Sequence, residues 1–271
     1  MTIWAFFAAL TYAFGALSLA MSGAWLIWLR TRNSGWVDTT WTFALSLIST
    51  FGALAGGGFS ERAALVATCA MLWGARLGWH IADRTTGITD DPRYANLISG
   101  WRADAVRQMF WLLQKQAWVS IPLVLSIWLA AWNPVPALRI QDLLGALVIV
   151  TAIWGEGVAD EQLKEFRANP TNRARVCDQG LWRFSRHPNY FFEWLGWLAY
   201  PVIAIDFHGS YFWGWLALGG PLCMYWLLVY VSGIPPLEEH MLARRGVAFR
   251  EYQSRTNAFF PGPPRGAHES R

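Results

Sequence analysis

The amino-acid sequence predicts an all-α integral membrane protein with seven transmembrane helices, the N-terminus outside and the C-terminus cytoplasmic. Three observations carry this. Of 271 residues, 54% are hydrophobic and only 15% are charged, where soluble domains carry about 25% charged residues. Apolar runs close to the roughly 20 residues that a bilayer core requires recur along the chain. Arginine and lysine collect in alternate connections, as the positive-inside rule demands. The same arithmetic excludes a disordered chain, a coiled coil and a disulfide scaffold. A net charge of +4 is too small to point to nucleic acid. Cys69, Cys177 and Cys223 are odd in number and far apart, and no His or Cys cluster has ligand spacing. Neither a disulfide framework nor a metal site is expected.

The first span covers residues 3–29. It is uncharged until Arg30, too long for a signal-peptide core, and has no basic region before it. The remaining spans are expected at 41–57, 63–82, 109–132, 143–158, 190–207 and 211–231. The third contains Arg76 and His80, and the fourth contains Lys115. With the N-terminus outside, the connections 83–108 and 161–189 and the tail from Gly233 are cytoplasmic. With Arg30 and Arg32 of the first connection, also cytoplasmic, they hold every arginine outside the spans but Arg62 and Arg139. Trp25, Trp28, Trp36 and Trp41 cluster at span ends, where amphipathic rings favour the headgroup level. No internal repeat suggests an inverted-repeat transporter. Residues 1–262 read as one membrane domain, with the most distinctive sequence at 155–262, and 263–271 as a disordered tail.

Polar chemistry is densest at 160–193. Asn189 and Glu193 are four apart and share a helical face, which Trp197 continues. An acid one turn inside a span is costly and points to a functional site. The guanidinium groups of Arg167, Arg175, Arg183 and Arg186 suit bidentate contact with phosphate, and Asn189 and Glu193 suit a ribose or a carboxamide. The plainer reading of these arginines is positive-inside charge that binds anionic headgroups. No G-x-G-x-x-G follows a strand, so a nucleotide would bind between helices. Arg76 and His80 share a face of the third span. Arg76 lies too deep to snorkel comfortably, which favours a cofactor or substrate role. The run Asp90-Asp91-Pro92-Arg93-Tyr94 reads as a turn and helix start. It brings Tyr94 in as a candidate proton donor.

The stretch GLWRFSRHPNYFFE from Gly180 to Glu193 resembles the signature of the steroid 5α-reductase-like membrane enzymes, in particular their bacterial DUF1295 branch. PPLEEH from Pro235 to His240, FREYQSR from Phe249 to Arg255, and Phe260-Pro261 resemble that family's second signature. The resemblance covers roughly residues 30–262. It implies a seven-helix fold that binds NADPH on the cytosolic side. It also implies reduction of a conjugated carbon–carbon double bond in a hydrophobic lipid, a 3-oxo-Δ4 steroid or another enone. By resemblance the cofactor residues are Arg76, Asp160, Arg167, Arg175, Arg186, His187, Asn189, Glu193, Trp197, His240, Tyr252 and Arg255. The front half departs from the pattern. The second helix lacks the family's Gln-Glu pair, its nearest acid being Asp38 in WVDTTW, and Trp73 stands where the family's Tyr would align. Asp38 and Tyr94 are therefore the expected catalytic pair, polarising a carbonyl or protonating an enolate oxygen. The isoprenylcysteine carboxyl methyltransferases, which use S-adenosylmethionine, carry a similar Arg-His-Pro-x-Tyr and a similar Glu-Glu…Tyr tail. Asn189 and Glu193 separate the two readings, because those enzymes favour small residues there. A lipid carrier without catalysis would need no such pair. The expected partners are a hydrophobic substrate and membrane lipids.

Overall fold

The computed structural model describes residues 2–87 and 89–265. Among the described residues ten α-helices follow one another: α1 Ile3–Thr31, α2 Gly35–Ala55, α3 Ser60–Thr86, α4 Pro92–Trp101, α5 Ala105–Val119, α6 Ile121–Ala131, α7 Ile140–Ala168, α8 Pro188–Ala204, α9 Gly219–Trp226 and α10 Ile234–Arg255. There is no strand among the described residues. Four helical segments among them are long and apolar enough to cross a bilayer: Ile3–Thr31, Arg93–Ala131, Ile140–Ala168 and Phe212–Arg255. The chain forms two compact units, Met1–Ala146 with Ala199–Cys223, and Leu147–Leu198 with Met224–Arg271.

In the first unit, α1 starts at Thr2, whose hydroxyl accepts the Ala5 N–H, and ends where Arg32 turns left-handed at φ 56°. Its buried side chains, Ala9, Ala13, Leu17, Met21, Ala24 and Trp28, recur every three or four residues as one narrow stripe. Trp4, Phe7, Tyr12, Phe14 and Leu19 stay exposed on the other faces. Aromatic N–H groups tie helices together: Trp128 donates to the Ser49 carbonyl (3.0 Å) and Trp132 to the Gly52 carbonyl (2.8 Å). Arg62 is fully buried against an equally buried Asp142, at 2.9 Å. Its remaining N–H groups donate to the carbonyls of Asn133, Val135 and Ala137, and Arg139 donates to the same carboxylate. Such a pair offsets its desolvation only when every donor is satisfied, as here.

Two expected runs differ in detail. The run 109–132 is divided between α5 and α6 at Ser120, just before Pro122, which has no N–H to donate. The run 211–231 is a 3₁₀ segment at Phe212–Leu218, then α9, then a π-turn at Leu227–Val231. Packing is close at the irregular start: a Cβ at Gly214 would lie 2.1 Å from the Ala204 carbonyl oxygen. Only a residue without a Cβ lets the 3₁₀ segment approach that carbonyl so closely. Two expected connections carry helices. Pro92 opens α4 behind Asp91, whose carboxylate accepts the Arg93 N–H at 2.9 Å. The tail forms α10, kinked at Gly246 (φ 47°). Of the tail expected to be disordered, Arg265 donates its backbone N–H to the Arg255 carbonyl (2.8 Å); residues 266–271 lie outside the described residues.

In the second unit α7 and α8 pack closely. A Cβ at Gly155 would meet the Phe192 ring at 2.4 Å, and Gly196 lies against Ala152. The seam between them carries the polar residues described next.

Candidate functional site

The turn that enters α8 is fixed from several sides. Gly180 has φ +56°, and a Cβ there would stand 2.5 Å from the Gln162 side chain, which favours glycine. Gln162 accepts the Leu181 N–H (2.9 Å), and Trp182 donates from its indole to the Ala159 carbonyl on α7 (2.9 Å). Tyr252, buried on α10, donates its hydroxyl to the Trp182 carbonyl. Ser185 donates to the Phe259 carbonyl (2.8 Å) and accepts the His187 N–H (3.1 Å).

At the centre of the turn stands Glu238. It accepts two bonds from Arg186 (2.7 and 3.2 Å), one from Nε2 of His187 (2.9 Å) and one from Gln253 (2.7 Å). Arg186 also donates to the Thr256 and Gln253 carbonyls. Its guanidinium, expected at a phosphate, is thus committed to holding the turn against α10. With Nε2 donating to Glu238, Nδ1 of the buried His187 is an acceptor without a partner among the described residues. Burial holds the His187 imidazole below its ordinary pKa. Glu238 partly offsets that effect and the Arg186 charge adds to it.

On the seam, Asn189 donates to Asp160 across 3.2 Å. One turn deeper, Glu193 accepts the indole N–H of Trp197 (2.9 Å) and is only 8% exposed. These four expected residues come together in pairs within one unit. Arg167, seven residues beyond Asp160 and on the same face of α7, is exposed, as is Arg175. Arg255 pairs with Asp178, and His240 is half-buried on α10. Two residues were not singled out from the sequence. Glu238 lies within the quoted PPLEEH, but its role depends on contacts across 51 and 52 residues. Glu156 is 5% exposed, one turn before Asp160; an acid inside an apolar run was a usable signal.

The first unit holds a separate cluster. Tyr94 donates its hydroxyl to Oδ1 of Asp38 (3.0 Å), and Gln116 donates to the Tyr94 oxygen (2.8 Å). Arg93 donates to the other oxygen of Asp38 and, through Nε and Nη2, to both oxygens of Asp91 (3.0 and 2.9 Å). Asp38 therefore acts as an acceptor between two donors, and Tyr94 is the donor of the expected pair. Burial opposes ionisation of Asp91. The Arg93 hydrogen bonds and charge, with Arg84, outweigh it and hold the carboxyl below its usual range. Arg93 stands in the quoted run, but its bond to Asp38 across 55 residues, like that of Gln116 to Tyr94 across 22, had no sequence signal. Arg76 and His80 lie one turn apart on α3 in this same unit.

The family model described as a protein of unknown function (DUF1295) matches residues 24–256, and the chain belongs to that family. No curated protein matches the chain, and no solved structure does.

Proposed function

We propose that the chain is an NADPH-dependent membrane oxidoreductase that reduces a conjugated carbon–carbon double bond in a hydrophobic lipid, an enone such as a 3-oxo-Δ4 steroid or another unsaturated lipid. In this reading it crosses the membrane seven times, N-terminus outside, with its active site toward the cytoplasm. The observation that carries the reading is the α7–α8 seam. There Asp160 with Asn189, and Glu193 with Trp197, form pairs at the positions that the resemblance to steroid 5α-reductase-like enzymes assigns to the cofactor.

The residues present fit a nucleotide. Among the described residues His187 Nδ1 is a buried acceptor with no partner, and Asn189, which gives one amide N–H to Asp160, has the other unused. Arg186 and Arg255 are engaged by carboxylates; the resemblance also assigns phosphate contact to Arg167 and Arg175, both exposed. When bound, the reduced nicotinamide supplies a hydride. The remaining tasks belong to the chain: to orient the nucleotide, to exclude water and to hold a proton for the substrate oxygen. Tyr94 holds that proton at its phenolic oxygen. Asp38, kept an acceptor by Arg93, orients the hydroxyl from one side, and Gln116 fixes the oxygen from the other.

Isothermal titration of the detergent-solubilised full chain with NADPH, NADH and S-adenosylmethionine tests the reading. NADPH binding supports it. Heat from S-adenosylmethionine alone would replace it with a methyltransferase.

A further inference from the structure

On the second unit, a groove of about 430 Å³ opens where the polar turn passes into α8. Its walls are apolar throughout, among them Leu181, Phe184, Phe191, Phe192 and Phe260. Phe184 is 43% and Phe260 49% exposed, and exposing such surface to water has no stabilising term. Two neighbouring features say what covers it. Along α7, Leu147, Val150 and Trp154 stand outward at three- and four-residue spacing, each more than half exposed. This is the lipid-facing stripe of a helix long and apolar enough to span a bilayer. The next residue, Gly155, receives the ring of Phe192, a groove wall. The groove thus continues the stripe toward the charged end of α7, where Asp160, Glu161 and Lys164 follow Glu156. The second feature is Arg183, set between the wall residues Leu181 and Phe184. It is exposed, and its side chain has no ion pair or hydrogen bond among the described residues.

We infer that this groove seats an anionic phospholipid of the surrounding bilayer, an acyl chain lying against the phenylalanines and the phosphate on Arg183. An apolar slot at the hydrocarbon edge takes a chain. The guanidinium of Arg183, carried on the same turn between two wall residues, selects a negative headgroup, by charge and by fork geometry. A soluble apolar peptide would match the slot but would have to reach hydrocarbon depth, and a zwitterionic lipid would leave Arg183 without net attraction.

The test uses the full chain in phosphatidylcholine vesicles that contain a photoactivatable phosphatidylglycerol, with a diazirine in its acyl chain, and peptide mapping after irradiation. Labelling is expected on the peptides that carry Phe184–Phe192 and Phe260. It should exceed that from the equivalent phosphatidylcholine probe by about fivefold, the ratio that an interfacial arginine worth about 1 kcal/mol produces. Arg183→Gln should remove the preference while leaving acyl labelling. Leu181→Trp, which fills the slot, should remove the labelling from both probes. Equal labelling by the two probes in the unsubstituted chain would overturn the inference, as would absence of adducts from these peptides or crosslinks there to a second protein.

Discussion

Tyr94 donates its hydroxyl to Asp38 across 3.0 Å, although the two residues lie 56 positions apart in sequence. The same carboxylate accepts from Arg93, and the phenolic oxygen accepts from Gln116. The phenol is thus fixed from both sides. Tyr94→Phe keeps the ring and removes the proton. NADPH binding should be retained, while enone-dependent NADPH oxidation should fall by about 10²-fold or more, the usual share of a positioned general acid. Turnover equal to that of the unsubstituted chain would remove Tyr94 from the proposed chemistry.

The orientation is testable without any substrate. Ala174 is exposed in the turn region between α7 and α8, on the side proposed to be cytoplasmic. A cysteine at Ala174 should resist a membrane-impermeant maleimide in intact cells and react once the membrane is opened. Rapid reaction in intact cells would reverse the proposed topology.

Arg62 and Asp142 form a fully buried pair in the first unit, with Arg139 on the same carboxylate. Asp142→Asn strands a buried guanidinium. Removing one member of such a pair costs about 3–5 kcal/mol, so the thermal midpoint in detergent should fall sharply. NADPH affinity per folded molecule should not change. An unchanged midpoint would mean that water reaches Arg62.

His187 gives a pH dependence of known sign. Its folded-state pKa is depressed from 6.5, first by burial. Above 6.5 both folded and unfolded chains hold the ring neutral, and its contribution to stability is complete. As pH falls below that value, the unfolded chain takes up a proton that the folded chain resists, and stability is lost toward the depressed pKa. Thermal midpoints measured downward from neutral pH should fall more steeply for the native chain than for His187→Gln, which cannot titrate. Parallel curves would show that the ring titrates normally in the fold.

How much of this was legible in the sequence follows from the range of each interaction. Spacing of four placed Glu193 one turn beyond Asn189 and joined it to Trp197, because helical periodicity is local. Asp91 before Pro92 announced α4 for the same reason. The partners of Glu238 did not follow, since His187, Arg186 and Gln253 come to it from two separate parts of the chain. Nor did the binding of Arg62 and Arg139 to Asp142, which in the sequence are two basic residues breaking the charge asymmetry. Hydropathy marked the run 211–231 but not its 3₁₀ and π geometry. An apolar run reads the same in each.

Glu193 separates the proposed function from a structural alternative. It is 8% exposed and accepts the Trp197 indole N–H from the next turn of its own helix. A carboxylate at this depth is retained for a cofactor or for an ion pair. Glu193→Gln discriminates between them because the amide oxygen still accepts from Trp197, so that bond and the side-chain volume survive while the charge is lost. If the carboxylate serves NADPH, the thermal midpoint should hold. NADPH affinity should then weaken by about 1.5–3 kcal/mol, the range for hydrogen bonds to charged groups, or more than tenfold in dissociation constant. If it serves an ion pair, the substitution should cost about 3–5 kcal/mol of stability and leave the affinity of each folded molecule as it was. Calorimetry on the folded fraction, with a denaturation curve on the same preparation, reads both quantities. A lost midpoint with undiminished NADPH affinity would sink the cofactor role of Glu193.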